Sequence, residues 1–272
     1  MIRLLKANDG TFSLDTFSEP TIPPYAILSH TWGSDSEEVT FKDIADRTGS
    51  DKAGYQKLRF CENQAKAHGL RHFWVDTCCI DKSNEKELTT AINSMFRWYQ
   101  NAARCYVYLS DVSVRTQDGL VPHIEWESSF RISRWFTRGW TLQELLAPKI
   151  VEFYSRDHVL LGDRTSLERQ IHEITEIAIE ALRGRHLQDF NVQERFKWCE
   201  KRQTTKGEDM AYCLLGIFDV FMPLIYAEGQ TNAMRRLRRE IKDSKSEEYE
   251  SQTLSKDYTI NASSSLTNSS NI

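Results

Sequence analysis

The chain has 272 residues, 40% hydrophobic and 27% charged, with a formal net charge of -4. That suffices for one large globular domain, or one domain with an extension, and argues against a general nucleic-acid binder held by a basic surface. Met1-Ile2-Arg3-Leu4-Leu5-Lys6 is too short and too polar for a signal peptide, and no apolar run is long enough to span a bilayer. Six cysteines without a secretory signal read as reduced thiols of a cytoplasmic protein. None forms a C-x-x-C pair, which argues against a structural zinc site.

Residues 1–24 read as an irregular lead-in, with turn chemistry at Asn8-Asp9-Gly10 and Pro23-Pro24. Tyr25-Ala26-Ile27-Leu28-Ser29 is a short apolar strand that breaks into His30-Thr31-Trp32-Gly33, as a buried parallel strand does at its end. His30 is a turn residue or a ligand contact, and Trp32 a rim aromatic or a ligand contact. A helix over 52–68 follows, with Leu58, Cys61 and Ala65 on one face and Gly69 as its stop. His72-Phe73-Trp74-Val75-Asp76 is the second strand. Its Asp76 either caps a backbone N–H or belongs to a site. Cys78 and Cys79 are adjacent and cannot pair without strain, so they are buried thiols unless one is a nucleophile. The stripe Leu88, Ile92, Met95, Phe96, Tyr99 marks a core-facing helix over 85–101. Cys105 to Leu109 is a third strand and Ile150 to Tyr154 a fourth.

Between these last two strands lies the most informative run, Ser133 to Pro148. From Trp140 its spacing is helical, with Trp140, Glu144 and Ala147 on one face and Pro148 as the stop. A carboxylate on so apolar a helix is costly to bury unless something meets it. Glu144 is therefore either tied to Arg134 or Arg138 in a structural ion pair, or turned into a cleft toward a substrate. Strand and helix alternate up to this point, so the fold class is α/β, a parallel sheet flanked by helices. Ligands of such sheets bind at the carboxyl ends of the strands. Beyond Tyr154 the pattern is helical, with capping-box spacing at Thr165 to Glu168 and Asn191 to Glu194. The arginines Arg235, Arg236, Arg238 and Arg239 form a solvated face or a phosphate or partner contact. The expected organisation is an α/β core over 1–154, a helical annex of the same domain over 155–242, and a disordered Ser-rich tail or linker over 243–272.

Tyr25 to Gly33, Phe73 to Asp81 and Arg138 to Glu144 resemble the three signature blocks of the fungal heterokaryon-incompatibility (HET) domain. Glu208 to Phe218 and Pro223 to Gly229 are similar to the segment that closes this domain in HET proteins of the NACHT and WD-repeat class. The resemblance implies an effector of fungal non-self recognition that triggers programmed cell death. It also implies self-association, a NACHT/WD-repeat type regulatory partner, and a TIR/flavodoxin-like core. In TIR enzymes a glutamate within a Ser-x-Trp-x-x-x-Glu pattern is needed to cleave the nicotinamide–ribose bond of NAD. Here the corresponding residue is Glu144, at a longer spacing from Ser133 and Trp135. NAD is then a substrate; no cofactor and no metal is expected.

On that reading Glu144 is catalytic, stabilising an oxocarbenium-like state. Trp32 or Trp140 stacks on a flat base. Ser29, His30 and Asp76 position ribose or phosphate groups. The alternative is a non-enzymatic module that only multimerises and docks. A weaker rival is a thiol hydrolase using Cys78 or Cys79 with His30, for which the sequence places no third orienting group.

Overall fold

The first two segments are strands. Ile2–Asn8 (β1) and Thr11–Phe17 (β2) pair antiparallel in register from Ile2 opposite Phe17 to Asn8 opposite Thr11. The expected irregular lead-in is thus a hairpin, and β1 adds to the main sheet beside the strand at His72. The computed structural model describes residues 1–8, 10–116, 119–120, 123–244 and 246. The Ser-rich tail expected over 243–272 lies almost wholly outside them.

The central strands are Tyr25–His30 (β3), His72–Trp74 (β4) and Arg104–Leu109 (β5). All six residues of β3 are buried, as a strand covered by helices on both faces requires. A separate small hairpin, Arg115–Thr116 (β6) with Gly119–Leu120 (β7), precedes Val151–Ser155 (β8) and Leu160–Asp163 (β9). Among the described residues the main sheet runs β2-β1-β4-β3-β5-β8-β9. Its inner four strands are parallel, and β1, β2 and β9 are antiparallel additions. This is the expected α/β fold. Because β9 belongs to the sheet, the core extends past residue 154 to Asp163.

The chain winds outward from β3 to β4, then crosses back to β5 on the other side of β3. The order reverses between β3 and β5, so their carboxyl ends flank the crevice where doubly wound sheets take ligands. Helices Phe41–Asp46 (α1), Gly54–Ala67 (α2), Glu85–Asn101 (α3), His123–Arg131 (α4) and Thr141–Leu146 (α5) complete this half. On one face α2 packs through Phe60, whose ring meets Tyr106, Tyr108 and Tyr154. On the other, Tyr99 of α3 meets Trp74, and Trp135 of the 3-10 turn Arg134–Thr137 meets Phe153. The α3 stripe is therefore core. Asn84 caps α3, accepting from Glu87 N at 3.2 Å, and Thr40 with Asp43 forms a capping box on α1.

The annex consists of Glu168–Thr175 (α6), Ile179–Leu182 (α7), Val192–Lys197 (α8), Asp209–Tyr212 (α9), Leu215–Phe218 (α10) and a last helix described over 230–244. Asn191 caps α8 as its spacing predicts, accepting from Glu194 N at 2.9 Å. The expected box at Thr165 is absent. Asp163 takes the N–H groups of Thr165 and Ser166, and α6 starts at Glu168. At Gly216 an added Cβ would collide with Phe96, so α10 lies directly on α3. No helix among the described residues is long and apolar enough to cross a membrane.

Candidate functional site

Period-two geometry decides which residues of β3 can meet Glu144. Ser29 points to the α5 face. Its hydroxyl donates to Glu144 Oε2 and accepts from Trp135 Nε1 at 2.8 Å. The Tyr99 hydroxyl donates to Leu28 O at 3.0 Å and lies within hydrogen-bonding reach of the Glu144 carboxyl. Glu144 thus sits over the carboxyl end of β3, beside the switch point. Its ion pair with Arg134 or Arg138 does not form. Arg134 N donates to Asp111 Oδ2 at 2.8 Å with its guanidinium 3.8 Å from that carboxylate, and Arg138 donates to Thr205 Oγ1 at 3.2 Å.

Glu144 is only 8% exposed. Burial pushes its carboxyl up to about 8, and the Asp76 carboxylate adds to the push; hydrogen bonds to Ser29 and Tyr99 and the charge of Arg202 pull the other way. At neutral pH the group is mostly a neutral acid. With Ser29 donating to it and Tyr99 donating to Leu28 O, its own proton is available for the Tyr99 oxygen.

Asp76 lies in the turn just beyond β4, near enough to Glu144 for its charge to act on that carboxyl. It accepts from Trp32 Nε1 at 3.0 Å, and Lys82 lies 3.9 Å from it and 3.8 Å over the Trp32 ring. Trp32 is 42% exposed. Trp32, Asp76 and Lys82 form a solvent-facing group beside the buried one.

Two of the sequence-picked residues go elsewhere. His30, one position after Ser29, turns to the α2 face. There its Nε2 is 3.7 Å from Glu38 Oε2, and Lys57 of α2 also binds Glu38. Burial pushes the Glu38 carboxyl up, but His30 and Lys57 outweigh it and hold it at about 2. Trp140 hydrogen-bonds to Asp209 of the annex, which also accepts from Tyr226 at 3.0 Å. Neither joins Ser29 and Glu144. The thiol reading fails on burial: Cys78 is pushed up to about 12 and donates to Val39 O at 3.1 Å, and Cys79 is raised well above the thiol range, again by burial. No thiolate forms there near neutral pH. Among the described residues no group of three or more His, Cys, Asp or Glu side chains is placed to hold a metal ion.

Three residues of the site were not picked from the sequence. Tyr99 reads only as part of the α3 core stripe, and Trp135 only as a motif letter. Arg202 carries no local signal. Its buried guanidinium donates to Arg138 O at 2.9 Å, Thr141 Oγ1 at 2.8 Å and Trp198 O at 3.2 Å. It therefore ties the annex to the first residue of α5, the helix that holds Glu144. Gln203 strengthens the tie, since Gly139 N donates to Gln203 O at 2.9 Å and Gln203 N to Thr137 O at 2.7 Å. Gln143 Nε2 and Arg202 Nη2 are buried with no hydrogen-bond partner among the described residues.

The annex segment that matched on sequence is a structural clasp. Glu208 accepts from Ala227 N at 2.9 Å and Gly229 N at 3.0 Å, and Tyr212 donates to Glu228 at 3.1 Å. Arg236 binds Glu228 and Pro223 O, Arg235 donates to Asn232 at 2.7 Å, and Arg238 stacks over Phe196. Arg236 thus ties the last helix to the preceding turn, while Arg235, Arg238 and Arg239 are exposed, as a solvated face would be.

The family model "Heterokaryon incompatibility protein (HET)" matches residues 25–133, which include Ser29, His30, Trp32 and Asp76 and stop before Trp140 and Glu144. The chain is 57% identical over 244 residues to "Vegetative incompatibility protein HET-E-1" of Podospora anserina. That alignment covers 88% of this chain and 18% of the relative, so the chain spans under a fifth of the relative's length. No solved structure matches the chain significantly. With the match running through both the sheet and the annex, the chain belongs to the heterokaryon-incompatibility (HET) family.

Proposed function

We propose that this chain acts in heterokaryon incompatibility as a cell-death effector that cleaves NAD at the nicotinamide–ribose bond, with Glu144 as the catalytic group. One observation carries the reading: a carboxyl at the switch point of the sheet, buried without an ion-pair partner among the described residues and pushed up to about 8. A desolvated carboxyl facing strand ends is a recurrent mark of functional sites.

The chemistry needs the anionic form. The bond between nicotinamide N1 and ribose C1′ breaks, and its electron pair leaves on the nicotinamide, which becomes neutral. The cationic ribose is stabilised by the Glu144 carboxylate. Water then adds at C1′ and loses its proton to Glu144, giving ADP-ribose. The positive charge of bound substrate favours the carboxylate and draws its pKa back down. Ser29 fixes one carboxyl oxygen, and Trp135 fixes Ser29. Trp32 offers a ring at the rim for a base, with Asp76 and Lys82 orienting it. At 8% exposure Glu144 meets substrate only after the packing around it opens, and we assign that opening to self-association. A regulatory partner of the NACHT/WD-repeat type would control it. The test is nicotinamide release from NAD by assembled protein: the account expects turnover in the wild type and its loss in Glu144→Gln.

The same burial favours a second reading, a non-enzymatic self-associating module in which the Glu144 cluster is structural and the exposed Trp32–Lys82 pair docks. A killing phenotype that survives Glu144→Gln and is lost in Trp32→Ala would select it.

A further inference from the structure

Beyond the carboxyl end of α5, a groove of about 470 Å³ opens between α3, the end of α5, the turn after α7 and the end of α10. Its lining carries four cations, Arg97, Lys149, Arg164 and Arg185, against one carboxylate, Asp219. The chain as a whole is acidic, with 39 carboxylates to 35 Lys and Arg. Some arginines elsewhere find acids, as in Arg3–Glu87, Arg104–Glu152, Arg131–Glu173 and Arg183–Glu168. Arg185 also has one, Asp189 at 3.2 Å. Arg164 is buried at the back, donating to Leu145 O at 2.7 Å and Lys149 O at 3.2 Å. Arg97 and Lys149 are exposed at the groove, and neither has a hydrogen bond or ion pair from its side chain to any described residue. Like charges sharing one hollow repel unless an anion lies between them.

The remaining wall is mixed, with Asn93, Gln100, His186 and Gln188 among apolar residues. Phe96 and Phe221 both line it, and Phe221 is 63% exposed, a large aromatic left in water. The volume falls in the range of small-molecule sites, roughly 300–1,000 Å³. We propose that this groove binds a small organic phosphate of mononucleotide size, its phosphate held by Arg97 and Lys149 and its ring laid against Phe221. Paired cations suit a phosphate through charge-assisted hydrogen bonds, and an exposed aromatic face suits a flat base. The site is separate from Glu144 and does not depend on the NAD reading.

The experiment is calorimetric titration of the intact chain with AMP at low salt. The expected result is a Kd below about 1 mM, weakened about tenfold or more in Arg97→Ala/Lys149→Ala, with no binding of adenosine. Phe221→Ala should weaken AMP but not inorganic phosphate. Both cations are exposed, so the double variant should keep the wild-type circular dichroism spectrum. Glu144→Gln should bind AMP as the wild type does. No AMP binding by the wild type, or binding that the double variant leaves intact, overturns the proposal. So does cosedimentation with phosphatidylserine vesicles that requires Arg97 and Lys149 while AMP does not bind.

Discussion

Replacing Glu144 by Gln changes the pH dependence of stability in a way the structure fixes. In the folded chain burial raises the carboxyl from 4.5 to about 8. Between those values the native state holds a proton that the unfolded state has lost. The wild type's stability from this group is therefore fully present below about pH 4.5 and is lost as pH rises through about 8. At about 1.4 kcal/mol per pH unit, the loss between pH 5 and pH 9 is about 3–4 kcal/mol. Gln is neutral throughout and keeps the geometry: its carbonyl accepts from Ser29 and its amide donates toward Tyr99. Urea denaturation of both proteins at pH 5, 7 and 9 should show similar stabilities at pH 5 and a variant more stable by about 3–4 kcal/mol at pH 9. Other titrating groups are common to both chains and cancel in the difference. A stability difference that does not change with pH would refute the neutral buried acid.

Arg202→Met should cost about 3 kcal/mol or more, because it strands Arg138 O and Thr141 Oγ1 inside the annex junction; thermal unfolding checks this, and a change under about 1 kcal/mol would deny the clasp on α5. Gly216→Ala should destabilise by roughly 1–3 kcal/mol through overpacking against Phe96, read by urea denaturation, and a neutral effect would mean α10 does not lie on α3. In native protein at pH 7, iodoacetamide should leave Cys78 and Cys79 unmodified by mass spectrometry over a time that labels them fully in urea-unfolded chain; rapid labelling of either in the native protein would revive the thiol. In Asp76→Asn the pH–rate profile of nicotinamide release should move to lower pH, since Asp76 helps push Glu144 up; an unmoved profile would separate the two residues.

What could be read from the sequence were the features carried by continuous or strongly periodic apolar runs. Tyr25 to Ser29 and Cys105 to Leu109 are buried on both faces and announce central strands. The Leu88 to Tyr99 stripe gives α3 with both its ends. The hairpin β1–β2 was missed because its strands alternate imperfectly, Leu4 and Leu5 both being buried. The Asp9-Gly10 dipeptide between them was itself a hairpin signal. Ser29 and Glu144 were legible as a pair because the rule about strand ends and switch points is topological. Placing His30 with them ignored the alternation of side chains along a strand, which sends neighbours to opposite faces. Trp140 was placed by its helical spacing with Glu144, yet its indole serves the contact with Asp209, which only the packed annex reveals. Arg202, between Lys201 and Gln203, has no local pattern at all; its role depends on a segment some sixty residues away, as the bond to Thr141 shows.

The most direct trial of the account is nicotinamide released from NAD by the assembled wild-type chain and by Glu144→Gln, each first shown to be folded. The account predicts release by the wild type and a loss of at least about a hundredfold in the variant. Equal release by the two proteins would contradict it.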